Sequence, residues 1–276
     1  MKTTYDTETG CELLARKGIK DIHLYGDSYQ RHIFVGLALT LTGDYQHGAL
    51  QADADDCDYN KQFDEKRCRM LLNLDNMTVC GGAVALHYKW GGLSQADLCE
   101  AERSKLVLWS IGNHILPNAE PGMDEERTKN NVERHVAWME ERFVCPYAAA
   151  HHSACHMWWI TTHQRLNHHS HVKPTFGEDH TTIHRYNVGM REFFEAGRCG
   201  NVHVVDMFNM TNALVTEMPI EETLPLTYDS AHWGGVVNLI KVQILLNDME
   251  RVLPDGDAPH PARRNFSRRR ALAAHP

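Results

Sequence analysis

Three short stretches carry residue types that could act together on an ester. Gly26-Asp27-Ser28 puts a serine hydroxyl just after the apolar run Ile22-His-Leu-Tyr25. Asp229-Ser-Ala-His232 puts a carboxylate three residues before an imidazole. Gly112-Asn113-His114 follows another apolar run and sets a glycine beside two side chains that carry N–H groups. A serine nucleophile needs a base for its proton, and the base needs an acceptor on its second ring nitrogen to fix its tautomer. The oxyanion formed on attack needs N–H donors at close range, which glycine permits and an Asn or His side chain supplements. Each stretch also has a plainer use. Ser28 suits a helix N-cap, Asp229 or Ser230 could cap the last helix while His232 is solvated, and Gly112-Asn113-His114 alone is a turn.

The elements that must position these residues follow a strand–turn–helix rhythm. Runs at Ile22–Tyr25, Ala83–Tyr88, Leu106–Ile111, His156–Thr161 and Val202–Asp206 read as five short strands. Ile33, Leu37 and Leu41, four apart, predict a helix after the first strand, stopped at Gly43. Further helices are expected over Asn131–Phe143, over Thr182–Ala196 with Gly197 as the stop, and over Gly235–Met249 with Val236, Ile240 and Ile244 on one face. Asp44–Met70 is polar and acidic and predicts little regular structure. Alternating apolar strands and amphipathic helices indicate a mostly parallel sheet covered on both faces, with any site at the C-terminal ends of its strands. The expected organisation is an N-terminal extension over 1–20, one α/β domain over 21–250, and a basic tail over 251–276. Trp158 and Trp159 end a strand, where core packing is the plain expectation and lining of a sugar cleft the alternative.

Composition narrows the function classes. The 276 residues are 42% hydrophobic with a net charge of -8. Five arginines between 263 and 276 leave about -13 on the rest, which argues against a binder of nucleic-acid backbone. No run of 18 apolar residues predicts a membrane span, and no long apolar stretch near Met1 reads as a signal peptide. Eight cysteines with close pairs 57/68, 80/99 and 145/155 suit local disulfides in an oxidising lumen. Sequons at Asn76, Asn209 and Asn265 point the same way, so the secretory pathway is favoured over the cytosol. His151-His152 and His168-His169-Ser-His171 lack Cys-x-x-Cys or His-Glu-x-x-His company. They read as solvated loops rather than a metal centre, and neither metal nor cofactor is expected. No Gly-x-Ser-x-Gly elbow, Walker loop or Gly-x-Gly-x-x-Gly occurs.

In their order along the chain, the GDS block, the middle Gly112-Asn113-His114 block and the final Asp-x-x-His block resemble the SGNH (GDSL-type) hydrolase superfamily. The likeness spans residues 21 to 250. "GDSYQRHIFVGL" and "DSAHWGGVVNLIKVQILLN" are most similar to its PC-esterase branch, which includes trichome-birefringence-like polysaccharide acetyltransferases and the lumenal domains of sialate O-acetyltransferases. The resemblance implies a three-layer α/β/α fold around a mostly parallel five-stranded sheet. It implies Ser28 as nucleophile, His232 as base and Asp229 as its orienting partner. The oxyanion hole would combine the Ser28 N–H with Gly112 and with Asn113 or His114, completed by Gly91 or Gly92. The implied substrate is an O-acetylated carbohydrate, small or polymeric, with water or a sugar hydroxyl as acceptor. A silent glycan-binding domain and a lipid-ester hydrolase are the rival expectations.

Overall fold

A computed structural model describes residues 3–51, 55–64, 66–75, 77–91, 105–110, 133, 155–166, 180–197, 202–229 and 232–256. Its centre is a six-stranded sheet in the order β2-β3-β1-β4-β5-β6. The strands are β1 (Asp21–Gly26), β2 (Met77–Val79), β3 (Val84–Trp90), β4 (Lys105–Ser110), β5 (Cys155–Ile160) and β6 (His203–Val205). All five expected strands form, and all run parallel. The count of five is corrected to six, because β2 adds a three-residue antiparallel edge beside β3. Three residues show too little alternation to stand out in a sequence.

Counted without β2, the parallel strands have the order 2-1-3-4-5, which opens a crevice beyond the C-terminal ends of β1 and β4. Helices cover both faces, giving a three-layer α/β/α fold. On one face lie α1 (Thr7–Arg16), α2 (Ser28–Thr42) and the last long helix, α5 (Gly235–Val252); α3 (His180–Glu195) covers the other, and α4 (Phe208–Glu217) follows β6. The first core joins Ile22, Leu24, Leu86, Leu106 and Leu108 to Leu13, Leu37, Leu41, Leu245 and Leu246. On the opposite face Trp109 and Trp159 pack edge-on or tilted against Tyr186 and Phe194 of α3. Both Trp158 and Trp159 are therefore core residues. The helix expected over Asn131–Phe143 lies outside the described residues apart from Glu133, which is helical.

Helix α2 is buried on nearly every side and ends at Gly43, in the left-handed region at φ 74°. For α5 the expected face is corrected. Val236 and Ile240 are 52% and 42% exposed, while Val237, Asn238, Lys241, Val242, Leu245, Leu246 and Met249 face inward. An all-round apolar helix has two candidate stripes, and here the buried stripe carries the two polar residues that reach the site.

Among the described residues two disulfides form. Cys57–Cys68 matches expectation and closes a loop within the segment between α2 and β2. Cys80 pairs with Cys11 rather than with Cys99, tying α1 to the turn before β3 across 69 residues of sequence. Chain-entropy arguments give a crosslink of that span about 4 kcal/mol. The 145/155 pair, like Asn76 and Asn265, falls outside what can be described. The Asn209 sequon lies in α4, with Thr211 fully buried and the Asn209 Nδ2 donating to Asp206, which is not the exposed loop that glycosylation requires.

Helices α2 and α5 meet at Gly36. A methyl there would lie 2.9 Å from Val242 Cγ2 and 3.3 Å from the Asn238 carbonyl oxygen. Gly36→Ala is expected to lower stability by about 1–3 kcal/mol in a urea titration, because well-packed helices must part to admit the methyl group.

Candidate active site

Ser28 is the first residue of α2, and the cap is its neighbour. The Asp27 side chain accepts the Tyr29 N–H at 3.0 Å. The capping reading of Ser28 is thereby excluded. The chain reaches this helix through Gly26 at φ 152°, where a Cβ would collide with the Ser110 carbonyl of β4. Tyr88 of β3 donates its hydroxyl to the carbonyls of Gly26 and Asp27, at 3.2 and 3.1 Å. The turn is thus fixed from both neighbouring strands. Ser28 retains 8% exposure, and its backbone N–H lies at the positive end of a 15-residue helix.

His232 comes from the opposite end of the chain. It opens β8 (His232–Trp233), which pairs with β7 (Thr227–Asp229) in a short antiparallel ribbon. Its Nε2 lies 2.8 Å from Ser28 Oγ. In the register of the ribbon, Asp229 is the residue opposite His232. Helix α5 starts at Gly235 with Gly234 as its N-cap, and the Gly235 N–H is accepted by Asn60 Oδ1 at 2.6 Å. The N-cap position is therefore Gly234 and not Asp229. Asn60 comes from the polar segment after α2, where no motif connects it with the site.

The ribbon is anchored from beneath. Trp233 donates its indole N–H to the Gln164 carbonyl at 2.8 Å, and Gly234 donates its N–H to the Leu226 carbonyl at 2.7 Å. Asn238 Nδ2 donates to the carbonyls of Trp233 and Gly234. Lys241, one turn further along α5, donates to Asn238 Oδ1 at 3.1 Å and touches His163 Nδ1 at 2.9 Å. His163 lies in the loop after β5 and packs against Tyr29, whose hydroxyl accepts from Arg165 Nε at 2.6 Å. Tyr29 and His32 both pack against the His232 ring. His32, His163, Lys241, Tyr29 and Arg165 escaped sequence reasoning, since none has a motif and each gains its place only through long-range packing.

The expected oxyanion residues Gly112, Asn113 and His114 follow β4 but lie outside the described residues, as does Gly92. Gly91 is described, and its N–H is engaged by the Gly26 carbonyl at 3.0 Å. That N–H serves the sheet edge and is not free for an oxyanion. Beside α2 lies a cleft of about 420 Å³, lined by Arg31, Arg69, Met70, Leu72, Tyr88 and Trp90 among others. Trp90, opposite Gly26 in the sheet register, is 52% exposed, and the Arg31 guanidinium lies 5.5 Å from its ring.

No family model and no curated protein matches the chain. Among solved structures it is similar to protein YXIM of Bacillus subtilis, with 10% sequence identity and a TM-score of 0.43. The similarity covers 84% of this chain and 56% of that one, so the chain spans little more than half its length.

Lys241 and His163 are both buried, and both are held well below their ordinary pKa. Desolvation lowers Lys241; desolvation and then the Lys241 charge lower His163. A base with a depressed folded-state pKa binds more protons when unfolded, so stability rises with pH in its window. For His163 that contribution is complete above the ordinary value of 6.5 and is lost as pH falls below it. In urea titrations from about pH 7.5 to about pH 5, wild type should lose stability relative to His163→Phe. Parallel curves for the two proteins would show that His163 takes up its proton equally well in both states.

Proposed function

We propose that this protein is a serine esterase or O-acyltransferase acting on O-acetyl esters, with carbohydrate as the preferred alcohol component. The observation that carries this reading is the 2.8 Å contact between Ser28 Oγ and His232 Nε2, formed by residues from opposite ends of the chain. The resemblance of both blocks to SGNH hydrolases supports it from the sequence.

In the proposed reaction Ser28 Oγ attacks the ester carbonyl carbon while His232 Nε2 takes the hydroxyl proton. Negative charge collects on the former carbonyl oxygen, close to the Ser28 N–H and the start of α2. The tetrahedral adduct collapses to acyl-Ser28. The leaving alkoxide takes the proton from His232 and departs as the alcohol. Water or a second hydroxyl then attacks the acyl carbon and gives its proton to His232, and Ser28 regains a proton as the acyl group leaves. Asp229, across the ribbon from His232, is proposed as the acceptor that holds the imidazole tautomer and stabilises the imidazolium.

Support for carbohydrate comes from Trp90 in the cleft beside α2, an exposed indole of the kind that stacks on the apolar face of a sugar ring, with Arg69 near it to reach hydroxyl or carboxylate oxygens. Met70, Leu72 and Leu74 make the rest of that cleft apolar. Two disulfides support an oxidising compartment, and among the described residues no helix is long and apolar enough to cross a membrane.

The test is hydrolysis of an aryl acetate and of acetylated glycans, with and without a free sugar acceptor. Ser28→Ala and His232→Ala should abolish turnover at unchanged melting temperature. Asp229→Asn should lower kcat by roughly 10⁴, as expected for loss of an orienting carboxylate. Trp90→Ala should raise KM for glycan esters and leave aryl acetate turnover unchanged. A folded wild type inactive on every ester tried would favour the silent glycan-binding domain.

A further inference from the structure

The sheet face opposite α2 has a polar end. In strands buried on both sides, side chains are apolar at every position. β1 and β3 depart from this. Asp21 and His23 alternate with the buried Ile22 and Leu24, and His87 lies beside His23 in the parallel register. The three side chains are all half-buried, and one donor atom from each lies within 4.8 Å of the others. His23 and His87 line a cleft of about 490 Å³ that also includes Asp75, Lys89 and Lys105.

The hydrogen bonding of His87 constrains its chemistry. Its Nδ1 lies 3.1 Å from the backbone carbonyl of Asp75. A carbonyl only accepts, so Nδ1 carries the proton. In the neutral ring the Nε2 lone pair then points outward, and it lies 3.7 Å from Asp21 Oδ1. Two acceptors therefore face each other, a repulsive arrangement until a positive species lies between them. The His23 ring stacks on His87 with centroids 4.4 Å apart and brings a second imidazole to the same place. Lys105, opposite Asp21 in the β1/β4 register, forms no ion pair with it among the described residues.

We propose that Asp21, His23 and His87 bind a divalent transition-metal cation of the zinc class. Two imidazoles and one carboxylate are borderline donors that suit Zn²⁺, Co²⁺ or Ni²⁺ rather than Mg²⁺ or Ca²⁺. The Asp75 carbonyl acts as the outer-shell acceptor that fixes the tautomer of a ligating histidine. Zinc with bonds of about 2.0–2.2 Å in tetrahedral geometry separates its donors by about 3.3 Å, so side-chain atoms within 4.8 Å of one another need close by at most about 1.5 Å through rotamer adjustment. Three protein ligands leave a fourth position for water facing the cleft. The ion ties β1, β3 and the residues before β2 into one unit. Asp21 precedes the C-terminal end of β1 by five residues, about 16 Å at strand rise, so this ion takes no part in chemistry at Ser28. The alternative occupant is a proton, which would make His87 an imidazolium paired with Asp21.

Calorimetric titration of chelator-treated full-length protein with ZnCl₂ separates these cases. Wild type should take up one equivalent that is lost, or weakened at least about tenfold, in His23→Ala and in His87→Ala. Saturating Zn²⁺ should raise the melting temperature of wild type but not of either variant. Co²⁺ should give a visible absorption band that is likewise absent from the variants. His87→Gln and Asp21→Asn provide milder changes should an alanine variant lose its circular dichroism spectrum. No saturable uptake in wild type would overturn the proposal in favour of the proton. The same stoichiometry and affinity in the folded variants would overturn it too, by assigning the metal to other histidines of this His-rich chain.

Discussion

The hydrogen bond between Ser28 and His232 joins residues 204 positions apart, and most of the architecture serves to keep that contact short. Ser28 is fixed by β1 and by the cap on α2. His232 is fixed by a two-stranded ribbon with little core of its own, so its position derives from what lies below it. Gly36 lets α2 and α5 approach closely near Asn238, and Asn238 in turn holds the backbone that follows His232. Asn60 satisfies the first N–H of α5 from a third segment. The distance between Ser28 and His232 is thus set by helix packing and by buried hydrogen bonds from three separate stretches of chain.

These supports are costly in an isolated energetic sense. A lysine and a histidine buried together carry desolvation penalties of several kcal/mol per charge if both are ionised. Burial lowers the pKa of each, which weakens proton binding at both groups. Charged or neutral, the Lys241 amine can donate to Asn238 and contact His163. It thereby links the loop after β5, which packs on Tyr29, to the helix after His232. Apolar side chains of similar volume would fill the space but would leave Asn238 Oδ1 without its donor. In the proposed mechanism the value of the network lies in orientation of the imidazole rather than in stability.

Much of this was legible in the residues. The five parallel strands announced themselves as short apolar runs between glycine-containing turns. Ser28 was conspicuous because it follows the first of them. The edge strand β2 was not, since Met77–Val79 is too short to show a period. The inward face of α5 was misassigned because Val236 and Ile240 form as regular a stripe as the true one, and nothing local announces that Lys241 is buried. Cys80 was matched to a neighbour in sequence, whereas its neighbour in space, Cys11, is brought to it by α1 packing on the core. Asn60, His163 and the Asp21–His23–His87 cluster share this property. Each depends on contacts between segments far apart in the chain, and pattern analysis within a window cannot see them.

The central claim is that Ser28 is a nucleophile activated by His232. The most direct measurement is covalent labelling of the folded protein with a fluorophosphonate, read by mass spectrometry of the intact chain and of its peptides. Ser28 Oγ would attack phosphorus and displace fluoride, with His232 taking the proton. The account predicts a single adduct on the peptide containing Ser28, absent in Ser28→Ala and formed far more slowly in His232→Ala. No adduct at Ser28 in the folded wild type, or labelling at the same rate in His232→Ala, would contradict it.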